Sequence, residues 1–169
     1  MDARRESEPT PMTNHTTVER KSERELVIKR TFYAPARIVF EAWTKPELLK
    51  RWWVPKSAGL SLLSCEMDVR VGGRYRLEFG HEASKSMAFF GKYIEVTPHS
   101  RLVWTNEESD DGPVTTVTFE ETSGKTLLVL HELYPSKGAL DVAIAGMEDG
   151  MPESFAQLDE LLVALSARH

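Results

Sequence analysis

The segment Met151-Pro-Glu-Ser-Phe-Ala-Gln-Leu-Asp-Glu-Leu-Leu-Val-Ala-Leu165 constrains the fold more than any other stretch of the chain. Met151, Phe155, Leu158, Leu161, Leu162 and Leu165 recur at steps of three and four. A helix therefore gathers them into one apolar stripe, with Glu153, Gln157, Asp159 and Glu160 opposite. Such a stripe must be covered. Proline fits the first turn of a helix, so the continuous stripe should begin close to Pro152, whatever helical structure precedes it. Most of the chain before it reads as strand, which predicts a sheet folded around one long helix, with function sought in the space between them.

The strand reading rests on alternation broken by turn residues. Glu25–Tyr33 comes first, with Leu26, Ile28 and Arg30 on one face against Val27 and Thr31. Cys65–Arg70 runs through Val71-Gly72-Gly73 into Arg74–Phe79, a hairpin signal in which Tyr75, Leu77 and Phe79 share a face. After a loop from His81 to Ser86 come Met87–Val96, Arg101–Thr105, Val114–Glu120 and Thr126–Leu133. Short turns between them predict antiparallel pairing in a sheet of about seven strands. Pro35 and Pro46 each open a short helix after the first strand, over Ala36–Trp43 and Glu47–Trp53, ended by Pro55 and Gly59. Gly146 and Gly150 interrupt a helical pattern between Pro135 and Pro152, which suggests a lid or a bent lead into the last helix. Residues 1–23 are polar and hold Pro9 and Pro11, so a flexible tail is expected there, with one domain over 24–169.

Composition excludes several classes of function. No apolar run approaches the roughly 20 residues of a membrane span, and the start of the chain lacks the apolar core of a secretory signal. Cys65 is the only cysteine, so no internal disulfide is expected and a cytoplasmic location is the simplest reading. A formal net charge of -5 and the lack of a basic run argue against nucleic acid as a partner. His15, His81, His99, His131 and His169 show no metal-ligand spacing, so no metal site is expected. No nucleophile elbow or phosphate loop is present, no cofactor is implied, and no catalytic residue is assigned. Cys65 reads as a half-buried strand residue, and Asp68, Arg70, Arg74 and Arg76 as a structural charge ladder on the outer face. Glu132 is the sharpest polar candidate. Strict alternation sets it with Leu128 and Leu130, and His131 with Leu127 and Val129, so one of the two points toward the helix. Both faces are apolar, which leaves the choice open. An inward Glu132 would have a raised pKa and could orient a ligand or act as a general acid.

The order of strand, two short helices, six antiparallel strands and long terminal helix resembles the helix-grip, or Bet v 1-like and START-like, superfamily. Ala34-Pro35-Ala-Arg-Ile-Val-Phe-Glu-Ala-Trp43-Thr44-Lys45-Pro46-Glu47-Leu48, Arg51-Trp52-Trp53-Val54-Pro55, Asp68-Val-Arg70-Val-Gly72-Gly73-Arg74-Tyr75, Gly91-Lys-Tyr93, Arg101-Leu102-Val103 and Gly146-Met-Glu-Asp-Gly150 narrow the resemblance. Together they are similar to proteins homologous to the C-terminal domain of the Hsp90 ATPase activator, over about residues 25–165. Met151 stands where that family usually has an aromatic. The resemblance implies an α+β helix-grip fold with a small hydrophobic molecule held between curved sheet and terminal helix. It implies Trp53, Phe79, Phe89, Tyr93, Trp104, Met151 and Phe155 as lining, with Glu132 added from the strand pattern. A binding module is favoured over an enzyme of cyclase or hydrolase type using Glu132, Tyr93 or His131. An Hsp90-type chaperone is the least favoured partner, because the activator has a separate N-terminal domain where this chain has a polar stretch. An exposed sheet edge could support a homodimer, and no residue decides it.

Overall fold

The computed structural model describes residues 16–80 and 86–166. The first fifteen residues of the expected tail, the loop from His81 and the histidines 15, 81 and 169 lie outside the described residues. Eight strands form one antiparallel sheet in the order β1-β2-β8-β7-β6-β5-β4-β3. In chain order these are β1 (Thr17–Arg20), β2 (Glu25–Phe32), β3 (Ser61–Met67), β4 (Arg74–Gly80), β5 (Ser86–Thr97), β6 (Arg101–Thr105), β7 (Val114–Thr122) and β8 (Lys125–Leu133). Helices α1 (Ala36–Thr44) and α2 (Pro46–Leu49) follow β2, and α3 (Lys137–Ser166) closes the chain. This is the helix-grip arrangement. No helix among the described residues is long and apolar enough to cross a membrane.

Two departures from the sequence reading concern the ends of the sheet and the long helix. Thr17–Arg20 falls within the stretch expected to be tail, yet it pairs with β2 from Thr17↔Lys29 to Arg20↔Leu26. It raises the strand count to eight and takes up the backbone groups on the outer side of β2. The long helix runs unbroken for 30 residues through Gly146, Gly150 and Pro152, so the two glycines expected to interrupt its lead do not break it. Its buried residues fall in two groups, Ala139 and Leu140 at the start and Ser154 through Leu165 at the end. The C-terminal group matches the predicted apolar stripe, apart from half-buried Met151.

The sheet bends at β5. Its first half pairs with β4 as far as Lys92, and its second half pairs with β6 from Tyr93 onward, with a register shift between Tyr93 and Glu95. Gly91 sits at this corner, where a Cβ would lie 2.1 Å from the Thr105 carbonyl oxygen, so only glycine lets the two strands approach. The turn between β3 and β4 needs glycine for similar reasons: Gly72 has φ 84° and a Cβ on Gly73 would meet the Asp68 carbonyl oxygen at 2.0 Å. The charge ladder is only partly as expected. Arg70 pairs with Asp68 at 2.8 Å, whereas Arg74 reaches Glu107 at 3.2 Å and Arg76 reaches Glu78 at 3.3 Å.

Pro35 cannot cap α1 with a side chain, and Glu121 from β7 does so instead, accepting from the Ala36 N–H at 2.9 Å. One face of α1 buries Val39, Phe40 and Trp43. The second helix is shorter than expected, four residues ending at Leu49 rather than at Trp53, and the chain continues past Leu49 in tight turns. The Leu49 carbonyl accepts from both Trp52 and Trp53 N–H at 3.2 and 3.0 Å. These turns put Trp52, fully buried, under α1, where its indole N–H donates to the Ala42 carbonyl at 3.0 Å.

Candidate functional site

A cavity of about 350 Å³ opens between the concave face of the sheet, α3 and the turns after α2. Alternation along the strands supplies its floor: Tyr75 and Leu77 from β4, Phe89 and Tyr93 from β5, Trp104 from β6, and Leu130 and Glu132 from β8. Trp43, Trp53 and Pro55 form one wall, and Gly146, Met147, Gly150, Met151 and Ser154 from α3 form the roof. The roof is built from small or flexible side chains. A Cβ on Gly146 would meet nothing within 4 Å, and one on Gly150 would meet only Pro55 at 3.8 Å, so these positions leave space that larger residues would take.

Six of the eight residues selected from the sequence border this space: Trp53, Phe89, Tyr93, Trp104, Glu132 and Met151. Phe79 and Phe155 do not. Phe79 has the inward orientation that alternation gave it, but it lies further along β4, tilted against Phe89 with ring centres 4.9 Å apart. Phe155 is fully buried one helical step round from Ser154, edge-on to Phe32 at 5.6 Å and near Trp43 at 6.2 Å. It belongs to the packed core beneath the cavity. The sequence reading did not select Tyr75, Asn106 or Glu108, although the alternation of β4 already placed Tyr75 on the inner face.

The question of His131 against Glu132 is resolved by the strand order. β8 lies between β2 and β7, and Glu132 faces the interior at 8% exposure. His131 faces outward, half-buried, against Glu25 at 2.9 Å. Glu132 is held by two hydroxyls: Tyr134 donates to Oε1 at 2.6 Å and Thr115 donates to Oε2 at 3.1 Å. Asn106 extends the network, donating from Nδ2 to Thr115 Oγ1 at 2.9 Å and to the Pro113 carbonyl at 2.7 Å. Tyr75 donates to the Thr105 carbonyl at 2.6 Å and lies 3.3 Å from Asn106 Oδ1. Burial pushes the Glu132 carboxyl above the ordinary carboxylate range, against the pull of its hydrogen bonds from Tyr134 and Thr115. Tyr93 is likewise raised by burial, so its phenol is neutral across the physiological range. Cys65 is half-buried on β3, and burial pushes its thiol up to about 11, which makes it a poor nucleophile.

A clasp from α3 holds the wall in place. Gln157 donates to the Trp52 and Val54 carbonyls, each at 3.0 Å, and accepts from the Lys56 N–H at 2.9 Å. Ser154 donates to the Trp53 carbonyl at 2.9 Å, and Glu153 accepts from Ser57 N–H and hydroxyl. The polar side chains of this turn of the helix thus fix the turn that carries Trp53 and Pro55. Among the buried groups, the Trp43 indole N–H has no acceptor among the described residues.

The family described as Activator of Hsp90 ATPase homolog 1-like protein matches residues 33–163. Among solved structures, a protein of Nitrosomonas europaea is 27% identical with a TM-score of 0.78, over 88% of this chain and 99% of that one. One from Staphylococcus epidermidis is 27% identical with a TM-score of 0.74, over 88% and 94%. A Rhodobacter sphaeroides protein, 24% identical, shares the fold with a TM-score of 0.82 over 89% and 99%. No curated protein matches the sequence.

Proposed function

From the premise that the chain belongs to the Activator of Hsp90 ATPase homolog 1-like family, we propose that it binds a small hydrophobic molecule in the cavity beneath α3. One observation carries this reading: an apolar cavity of about 350 Å³ with a polar cluster at one end, the composition that ligand pockets share. The roof supports it further. Glycine in a helix interior costs about 1 kcal/mol relative to alanine, and α3 keeps two of them where they face the open space. Trp53, Phe89, Tyr93, Trp104 and Met151 supply apolar contact, and Glu132 with Asn106 and Tyr75 orients a polar group. Phe79 and Phe155 support the site from behind. A reducing compartment such as the cytoplasm suits a chain whose single thiol is unpaired.

Thermal denaturation with a graded set of aromatic and aliphatic alcohols tests the reading. A ligand at 100 times its Kd stabilises the native state by about 2.7 kcal/mol, which raises the Tm by several degrees. Absence of any shift across the set would refute ligand binding. The polar cluster favours one second reading, in which protonated Glu132 acts as a general acid on the bound molecule. Turnover that is lost in Glu132→Gln while binding persists would support it, and a Gln variant as active as wild type would remove it.

A further inference from the structure

The concave face carries a row of side chains that runs across five strands. Tyr93 is opposite Trp104, Trp104 opposite Thr115, Thr115 opposite Glu132, and Glu132 opposite Leu26. Trp104 and Glu132 are therefore two strand spacings apart, about 9.5 Å, with the short Thr115 side chain between them. The Trp104 end of the row is a three-ring wall. Ring centres lie 5.8 Å apart for Tyr75 and Tyr93, 6.4 Å for Tyr93 and Trp104, and 6.5 Å for Tyr75 and Trp104.

The charges around this space have one sign. Among the described residues, Glu108 and Glu132 line the cavity and no lysine, arginine or histidine does. A neighbouring cavity of about 360 Å³, between the loop 106–113 and the first half of α3, shares Asn106, Glu108, Glu132 and Met147 and adds Asp111. Among the described residues it too has no basic lining side chain. Glu132 thus lies where an aromatic interior meets an acidic approach. Each of its oxygens accepts one hydroxyl, and a carboxylate has about four acceptor positions in all.

We propose that the site selects a hydrophobic amine or ammonium cation, its charged nitrogen over Thr115 between the Tyr75, Tyr93 and Trp104 rings and the Glu132 carboxylate. This deepens the ligand-binding reading and rests on it. The faces of aromatic rings attract cations, most strongly when both are removed from water. The carboxylate supplies the counter-charge, and the acidic approach raises the local concentration of cations and lowers that of anions. A carboxylate-bearing lipid meets only like charge here. Burial raises the Glu132 carboxyl in the empty site, so wherever that carboxyl is protonated, binding a quaternary ammonium breaks its O–H bond and sends the proton to solvent. Affinity for such an ion therefore rises with pH. The groups facing Glu132 are Tyr134 just beyond the end of β8, Thr115 on β7, and Glu108 and Tyr75 across the cavity, while the adjacent His131 points to the opposite face of the sheet. The cavity-lining part of α3 presents only Gly146, Met147, Gly150, Met151 and Ser154.

Three benzyl probes decide the matter: benzyltrimethylammonium, its uncharged isostere neopentylbenzene, and the smaller anion phenylacetate. Binding is followed by tryptophan fluorescence, since Trp43, Trp53 and Trp104 border the cavity, and by calorimetry at about pH 6 and about pH 8. The wild-type protein should bind the ammonium at least about tenfold more tightly than the neutral isostere, with phenylacetate weakest, and the ammonium affinity should increase at the higher pH. Glu132→Gln should weaken the ammonium at least about tenfold and leave the isostere within about twofold. The wild-type ranking decides without the variant. If the neutral probe binds as well as the ammonium or better, cation selection falls and the ligand-binding reading stands. Should none of the three bind, both readings fall.

Discussion

Replacing Gly146 and Gly150 by alanine probes the roof of the cavity and the continuity of α3 together. Neither glycine has a positive φ, so both positions accept a side chain without backbone strain. The methyl at 146 would meet nothing within 4 Å, and the one at 150 would make an ordinary contact with Pro55 Cγ at 3.8 Å. No steric cost offsets the helical preference of alanine, which is about 0.8–1.0 kcal/mol per site. The double variant should therefore gain about 2 kcal/mol, because small side chains one turn apart with no shared partner couple weakly. For a chain of this size that raises the Tm by about 4–8 °C. Circular dichroism melts give the Tm, and urea titrations should show a higher midpoint at unchanged slope. A Gly146→Ala variant no more stable than wild type would refute the reasoning, since it would mean that the helix does not run unbroken through 146. Loss of stability confined to Gly150→Ala would instead place Pro55 closer to the helix.

Glu132 sets a pH dependence with a definite sign. Its carboxyl is raised above the ordinary 4.5 in the folded protein, so the native state holds this proton more tightly than the unfolded chain. The associated stability is complete below about 4.5 and is lost as pH rises through the folded value. The stability of Glu132→Gln relative to wild type, measured by urea titration at a series of pH values, should therefore grow with pH above that point and then level off. A difference that shrinks with pH would contradict the assignment. Gln157→Leu should cost about 1–3 kcal/mol by leaving backbone groups of the Trp52–Lys56 turn unpaired. It should also speed proteolysis at that turn; unchanged stability and cleavage would show that the clasp does not hold the wall.

The parts of the fold that were legible in the sequence are those where one physical signal acts alone. Alternation in Arg74–Phe79 and the three-and-four spacing of Phe155, Leu158, Leu161, Leu162 and Leu165 each name an element and its buried face, and both faces are as read. Thr17–Arg20 was not legible, because a short polar edge strand carries no apolar alternation and forms only where β2 offers it an open side. The glycines at 146 and 150 were given too much weight as interruptions: packing of Ala139 and Leu140 at one end and of Ser154 onward at the other holds α3 helical across them. Alternation fixes which face a side chain takes but not how far along the strand the cavity lies. Phe79, taken as lining from the family resemblance, shares its parity with Tyr75, yet only Tyr75 borders the cavity. The choice between His131 and Glu132 needed the neighbours of β8, since its own two faces are equally apolar. The polar network joins a loop residue, Asn106, to a residue just beyond a strand, Tyr134, and neither stands in a periodic pattern that would have marked it.

From 141 to 153, α3 buries no residue, while both of its ends are pinned to the body of the protein. It therefore behaves as a footbridge fixed at its two abutments: the middle can bow and settle back while the banks stay still. Amide deuteration along that span should outpace deuteration on either side, and guests would come and go beneath it without any strand having to part from its neighbour.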